Sequence, residues 1–265
     1  MQMIKHRKLI LIILLLFIET AVLIFFGFQK KGMHFDEFFS YFNTNNSYGR
    51  EAYDRSWVSS ENIKKDFYVL PGEQFNYSRV VELQSYDVHP PVYYLLLHTV
   101  CSFMVGTYSM WQGIGLNIFF SLILTVFLFL IINRFTGNDY VSALFVLMII
   151  LCPGVISNVM FIRMYSLMTL FMILQVYIHI LMEEFKSYKE IPLYLMILSA
   201  LITYLGFLTH YFYLVFLFFL EAAFIIPHLK NFKEEIRPLI KYCILIAFSG
   251  ILGVISYPAC LGQVN

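Results

Sequence analysis

Long apolar runs constrain this chain more than any other feature of its sequence. About 20 consecutive apolar residues are needed to cross the hydrocarbon core of a bilayer as a helix. A helix satisfies its own backbone hydrogen bonds in lipid, and the period-2 alternation of a membrane barrel is missing, so the sequence predicts an all-α membrane protein. The candidate spans lie at 9–28, 91–106, 114–133, 141–158, 165–182, 192–208, 211–227 and 239–258.

Composition supports this class of protein and gives no sign of a nucleic-acid partner. Apolar residues make up 60% of the 265 residues and charged residues 13%, whereas a soluble domain carries about 25% charged residues. The net charge is only +1, too small for an electrostatic nucleic-acid surface. The first apolar run follows "KHRK" and has no small-residue cleavage motif after it, which predicts a retained signal anchor.

The Lys and Arg residues decide between two topologies. If all the candidate segments span and the N-terminus is cytoplasmic, most later basic residues lie outside, against the positive-inside rule. If 91–106 is instead a juxtamembrane or re-entrant helix at the outer interface, the basic stretches become cytoplasmic. Those stretches are "KHRK", "NRFTGND", "EEFKSYKE" and "HLKNFKEEIRPLIK". The sequence therefore predicts about seven spans in the cell membrane, with the N-terminus in the cytoplasm.

This topology makes residues 29–113 one long extracytoplasmic loop within a single transmembrane domain, 1–265. Loops longer than about 12–15 residues are usually functional or disordered, and the many aromatic residues here, Trp57 among them, favour order. "HFDEFFSY" opens the loop and "SYDVHPP" precedes its last helix, while "FIRMYSL" and "FLTHYF" return to the same side. The polar chemistry of the chain is thus expected to converge on the outer face.

Three polar residues follow the first span within four positions: His34, Asp36 and Glu37. An acid pair in a first helical turn often serves only the helix dipole. The functional alternative is a carboxylate that deprotonates an acceptor hydroxyl or holds a metal close to the membrane surface.

Five further residues are candidates for the same site. Asp87 and His89 precede a helix start, where an aspartate is commonly a cap and a lone histidine is usually structural. Arg163 and Tyr165 lie at a membrane boundary, where an arginine either snorkels to the interface or grips a carboxylate or phosphate. His210 is either a turn residue or another member of an outer-face cluster.

The spans contain few other polar groups. Glu19 and Glu221 are intramembrane acids, for which we expect buried pairing and snorkelling, respectively. The cysteines have no metal-type spacing and are interpreted as small core residues: Cys101, Cys152, Cys243 and Cys260.

Three stretches in this order resemble a known family. A first span followed by "DE", then "HPPVYYLLLH" and "RMYSL", is similar to the GT-C superfamily of membrane glycosyltransferases. The likeness is to the bacterial relatives of protein O-mannosyltransferases and aminoarabinose transferases. It covers about residues 5–260, with "HPP" as the most specific stretch, and resembles the N-terminal portion of a longer enzyme. Unlike typical members, this chain has no acid beside the arginine of "FIRMYSL".

The resemblance implies an inverting transfer of a sugar from a polyprenyl-phosphate donor to a glycan, lipid or protein acceptor outside the cytoplasm. Asp36 would be the catalytic base, and Glu37 would be a second catalytic residue beside it. The substrate-binding residues would be His34, Asp87, His89, Arg163, Tyr165 and His210. A divalent metal is one option, with Asp36, Glu37 and His89 as its candidate ligands.

Two other classes compete with the enzyme. A small-molecule transporter would have polar spans, paired broken helices and an internal repeat, and no repeat is visible. A non-catalytic membrane fragment or subunit would tolerate the loss of Asp36.

Overall fold

The computed structural model describes residues 2–46, 57–185, 187–228 and 232–263, and within these ranges it contains helices and no strand. In chain order the helices are α1 (Gln2–Gln29), α2 (Phe35–Asn45), α3 (Ser60–Lys65), α4 (Tyr77–Ser85), α5 (Val92–Ser102), α6 (Met110–Thr136), α7 (Asp139–Ile150), α8 (Pro153–Met160), α9 (Tyr165–Met182), α10 (Leu193–Phe207), α11 (Phe212–His228), α12 (Phe232–Ser256) and α13 (Cys260–Gln263). The all-α prediction is confirmed for the described residues.

Four helices in the described part of the chain are long and apolar enough to cross a membrane. They are the greater part of α1, the whole of α6 and α9, and the greater part of α12. The pair α7 and α8 passes the same test together, which gives up to five spans. Helices α10 and α11 are apolar but shorter. The chain is therefore a membrane protein with several spans, and the expected total of seven remains a prediction.

The segment expected to span at 141–158 is broken rather than straight. Helix α7 ends at Ile150, and α8 starts at Pro153 with its axis bent by 57° from that of α7. Proline has no N–H to donate, and its ring disfavours helical geometry at the residue before it. Cys152 accordingly adopts an extended conformation and caps α8. The bend lays α8 against α1 and α6.

The connection between α1 and α6 is folded onto one end of the bundle, which we call the loop face. Helix α2 packs on α4 and α5, and α5 packs on α6. Tyr41, Tyr93 and Tyr94 are fully buried in this layer. Tyr41 donates a hydrogen bond to Ser109 O at 3.0 Å and accepts one from Gly113 N at 3.0 Å, which joins α2 to the start of α6.

Two expectations about this connection need correction. The helix expected at 91–106 is shorter, Val92–Ser102, and its first N–H donates to Leu208 O at 3.0 Å. Trp57 was counted among the aromatic residues that favour order, but its side chain is fully exposed. Phenylalanine and tyrosine side chains form the core of the layer instead.

The opposite end of the bundle is held by charged groups. Arg7 donates to Asp139 Oδ2 at 2.7 Å, and Lys8 donates to Asn133 Oδ1 at 2.7 Å. Arg134 pairs with Glu184 just beyond the end of α9. Three of the basic stretches that the sequence assigns to one side of the membrane therefore do lie at one end of the bundle.

The two intramembrane acids behave differently from each other. Glu19 is buried, as expected, and accepts a hydrogen bond from Ser121 Oγ at 2.5 Å. The snorkelling expected for Glu221 is wrong, because its Oε1 accepts a hydrogen bond from Tyr242 at 2.8 Å and lies 3.2 Å from His179 Nε2. These neighbours hold the carboxylate between α9, α11 and α12. Their hydrogen bonds take the place of the water that the carboxylate loses inside the bundle.

The interpretation of the cysteines holds for half of them. Cys101 and Cys260 are buried core residues, whereas Cys152 and Cys243 are exposed.

The charge distribution predicts which end of the bundle is outside the cell. In a background with the natural cysteines replaced by alanine, Ser60→Cys and Glu190→Cys place thiols at exposed positions on α3 and beyond α9. A membrane-impermeant maleimide should label Ser60→Cys in intact cells, and Glu190→Cys only after permeabilisation, because basic connections stay cytoplasmic. The reverse pattern would show that the loop face is cytoplasmic.

Candidate functional site

Arg163 is the centre of a polar cluster at the loop face. It lies between α8 and α9, and it is only 5% exposed. Its Nη1 donates to Asp36 O at 3.0 Å, and its Nη2 lies 3.3 Å from both ring nitrogens of His89. Its Nε has no hydrogen-bond partner. Among the described residues, no carboxylate forms an ion pair with this guanidinium.

The backbone that carries Arg163 is fixed from three sides. Ile162 N donates to Glu37 Oε1 at 2.7 Å, and Asn117 Nδ2 donates to Phe161 O at 2.8 Å. Gly113 of α6 lies so close that a Cβ there would be 2.1 Å from Ile162 Cγ2. The absence of a side chain at this position therefore lets the segment before Arg163 lie against α6.

Glu37 serves as a structural carboxylate. It is fully buried, and Lys30 Nζ donates to both of its oxygens at 2.8 and 2.9 Å. It also accepts the His34 N–H at 2.6 Å, which completes a capping box at the start of α2. With the Ile162 N–H added, both oxygens are engaged, so Glu37 positions its neighbours and has no free oxygen for a substrate proton.

Asp36, by contrast, presents an open carboxylate. Its side chain is 50% exposed, although its backbone carbonyl holds Arg163. His34 Nδ1 accepts the Asp36 N–H at 3.2 Å and lies 3.5 Å from Oδ2. The same residue thus carries an accessible carboxylate and, through its backbone carbonyl, a hydrogen bond to a buried cation.

Asp87 and His89 form a pair behind Arg163. His89 Nδ1 lies 3.4 Å from Asp87 Oδ2. Burial alone would raise the pKa of Asp87, but the hydrogen bonds from His89 and the Val88 N–H, with the positive charges of His89 and Arg163, lower it overall. Asp87 is therefore ionised at neutral pH. The structural alternative, that Asp87 caps α5, is wrong, because Pro91 occupies the cap position without any side-chain hydrogen bond.

His210 and Tyr165 complete the cluster. The His210 ring centroid lies 5.6 Å from that of His89 and 5.7 Å from that of Tyr165. Phe212 N donates to His210 Nδ1 at 3.1 Å, which leaves the proton of the neutral ring on Nε2. Burial, followed by the charges of His89 and Arg163, lowers the pKa of His210 to about 4. His210 is therefore a neutral hydrogen-bond donor at pH 7.

The metal ligands considered above are not assembled. The described residues contain no group of three or more His, Cys, Asp or Glu side chains placed to share a metal ion. Asp36, Glu37 and His89 fail as a set because Lys30 occupies Glu37 and Arg163 occupies His89.

Several residues of this site carried weak signals or none in the sequence. Asn117 is a polar residue inside an apolar run, and such residues deserve to be tested as candidates for backbone anchors. Lys30 and Ser40 have no distinguishing pattern, although Lys30 neutralises Glu37 and Ser40 Oγ lies 3.5 Å from Arg163 Nη1.

The cluster joins a buried guanidinium, an open carboxylate and a neutral imidazole at the membrane boundary. This combination can bind an anion and remove a proton from a nucleophile beside it. No family model, curated protein or solved structure matches the chain. The function is therefore argued from the geometry of the chain itself.

The lowered pKa of His210 makes stability depend on pH. The usual value for His is 6.5, so between about pH 6.5 and about pH 4 the unfolded chain binds a proton that the folded chain rejects. The thermal unfolding midpoint should fall as the pH is lowered through this range. The midpoint of the His210→Gln variant should fall less over the same range. Equal slopes for the two proteins in detergent would contradict the burial of a neutral imidazole.

The contact at Gly113 predicts a position-specific loss of stability. Gly113→Ala must displace Ile162, and such overpacking costs about 1–3 kcal/mol of unfolding free energy. Gly115→Ala is the matched control, because no atom lies within 4 Å of its Cβ position. Thermal unfolding of both variants measures the difference. Equal midpoints would show that the segment before Arg163 is not held against α6.

Proposed function

We propose that the chain is a membrane glycosyltransferase that moves a sugar from a lipid-phosphate donor of the polyprenyl type to an acceptor at the loop face. The observation that carries this proposal is Arg163, a buried guanidinium at the membrane boundary that has no carboxylate partner among the described residues. A buried charge is costly unless it is paired, so the site favours binding of an external anion. A phosphate attached to a lipid reaches this position from the bilayer.

The neighbours of Arg163 suit a phosphate better than a carboxylate partner from the chain. Arg163 Nε is buried without a hydrogen-bond partner among the described residues, and planar bidentate contacts to phosphate are the strength of arginine. His210 is neutral and keeps its Nε2 proton as a further donor. Tyr165, whose ring lies beside His210, offers a surface for the sugar.

Asp36 is the general base in this proposal. Its exposed carboxylate takes the proton from an acceptor hydroxyl, and the acceptor oxygen forms a bond to the anomeric carbon of the sugar. The bond between that carbon and the donor phosphate oxygen breaks, and the electron pair leaves with the lipid phosphate, whose charge Arg163 stabilises. Attack opposite the leaving group inverts the anomeric configuration.

Glu37 and Asp87 act on the chemistry through other residues. Glu37 fixes the start of α2 and the Ile162 N–H, and so sets the spacing between Asp36 and Arg163. Asp87 is ionised and lies 3.4 Å from His89 Nδ1, so it holds that ring beside Arg163.

A small-molecule transporter is a second candidate because of the break between α7 and α8. Discontinuous helices are typical of transporter binding sites at the membrane midplane. The 57° bend and a cavity beside it are the observations that favour this alternative.

The glycosyltransferase proposal predicts a specific loss of transfer. Membranes that contain the chain should transfer radiolabelled sugar from one member of a panel of polyprenyl-phosphate sugars. Asp36→Asn should reduce this transfer by about 10²-fold or more, the usual effect of losing a general base. Arg163→Lys should raise the donor KM, because lysine cannot make the bidentate contact.

Glu61→Gln is the matched control, since Glu61 is an exposed acid of the same connection between α1 and α6. Its transfer rate should equal that of the unsubstituted chain. Transfer that is unchanged in Asp36→Asn, or absent from a folded chain across the whole panel, would overturn the proposal. Uptake of a free solute without transfer would favour the transporter.

A further inference from the structure

A separate cavity of about 350 Å³ lies inside the helix bundle, away from Arg163. Its walls come from α1, α6, α7, α8 and α9, and neither Asp36 nor Arg163 lines it. Cavities that hold small molecules are commonly about 300–1,000 Å³ and mostly apolar, with a few polar groups. The cavity has the size and character of a ligand site, and the glycosyltransferase proposal does not use it.

Glu19 is the one ionisable side chain among the described residues that line this cavity. Its side chain is 1% exposed, and it lies about 15 Å along α1 from the end of that helix at Gln29. Oε1 accepts the hydrogen bond from Ser121, but Oε2 has no hydrogen-bond partner. Among the described residues no lysine, arginine or histidine lines the cavity. The carboxyl group is therefore buried without a counter-charge.

The other polar groups of the cavity are mainly acceptors. The Ser121 hydroxyl already donates its proton to Glu19, and the Thr169 hydroxyl donates its proton to Tyr165 O at 2.8 Å. The Thr125 hydroxyl also lies near Glu19. Each hydroxyl retains oxygen lone pairs. A ligand that donates several hydrogen bonds would satisfy this lining, and a ligand that only accepts them would not.

We propose that this cavity is a binding site for a lipophilic primary amine, whose ammonium group pairs with Glu19. An ammonium group has three donors and one positive charge, and no basic side chain lies among the described residues of the lining. The alkyl part packs against apolar side chains of the same cavity, among them Leu124, Leu128 and Ile150. A buried ion pair with satisfied hydrogen bonds is favourable where a lone buried charge is not.

The ligand has a path to the cavity from the loop face. A second cavity, of about 420 Å³, lies at that end and shares Gly154 and Asn158 of α8 with the first. The short helix after the bend thus forms a common wall of both cavities. A Cβ at Gly154 would have only Cys152 Sγ within 4 Å, at 3.9 Å, so a larger side chain there fits without backbone strain but narrows the passage.

The test uses the full chain in detergent micelles, with octylamine and octanol as probes of equal chain length. Saturable octylamine binding is expected from isothermal titration, with octanol at least tenfold weaker because it carries no charge. Glu19→Gln should weaken octylamine binding at least tenfold, and it keeps an oxygen that can accept the Ser121 hydrogen bond, so the fold is retained. Glu221→Gln, which changes the other intramembrane acid, should bind like the unsubstituted chain.

Other outcomes of these measurements would overturn the proposal. Octylamine that binds Glu19→Gln with unchanged affinity, or no saturable binding to the folded chain, would overturn the proposal. Equal binding of octanol and octylamine would also overturn it, since the site would then be selecting only apolar bulk. Gly154→Leu should slow octylamine association, whereas Gly154→Ala should not, and identical rates would exclude the path from the loop face.

Discussion

One buried carboxylate holds the loop face together. Glu37 pairs with Lys30 at the end of the first span, accepts the N–H of His34 at the start of α2, and accepts the N–H of Ile162 between α8 and α9. Removing one partner of a buried ion pair typically costs about 3–5 kcal/mol, because the other charge is left in a poorly solvating environment. The position of Arg163 relative to Asp36 follows from these bonds, and so does the chemistry proposed for that pair.

Two buried ionisable side chains, one basic and one acidic, lack an oppositely charged partner among the described residues. Arg163 is a buried cation at the loop face without an acidic partner among the described residues, and Glu19 is a buried acid in the bundle without a basic one. Arg163 donates a hydrogen bond to the backbone carbonyl of Asp36, and Glu19 accepts one from the hydroxyl of Ser121. Some other carboxylates among the described residues have basic partners, such as Asp139 with Arg7. Arg163 and Glu19 are therefore the positions at which a charged ligand would supply the missing partner.

The sequence was sufficient for the class of fold and for part of the polar cluster, but not for Lys30, Ser40 and Asn117. Hydropathy predicts apolar helices because lipid leaves the backbone no alternative, and the return of "FIRMYSL" and "FLTHYF" to one side follows from the order of the spans. Arg163, His89, His210 and Tyr165 do lie together at the end where Asp36 lies. Counting the membrane crossings between these stretches is enough to predict that they lie on the same side.

The sequence was not sufficient for the roles within that cluster. Asp36 and Glu37 are adjacent and chemically alike, and only helix geometry turns one outward and buries the other against Lys30. Glu221 was assigned to the interface because its partners, His179 and Tyr242, lie 42 and 21 residues away on other helices. Such distant pairings leave no local pattern. The break at Pro153, by contrast, is indicated by the sequence, because a proline lies inside the apolar run 141–158.

The hydrogen bond between Glu37 and Ile162 has a consequence for how the protein is made. These residues are 125 positions apart, whereas Lys30 is only 7 positions from Glu37. During synthesis the pair with Lys30 forms as soon as the first span is inserted, but the Ile162 N–H arrives only after α6, α7 and α8 have followed. The polar centre is therefore assembled late, and a chain arrested before the end of α8 carries the carboxylates without the arginine that they position.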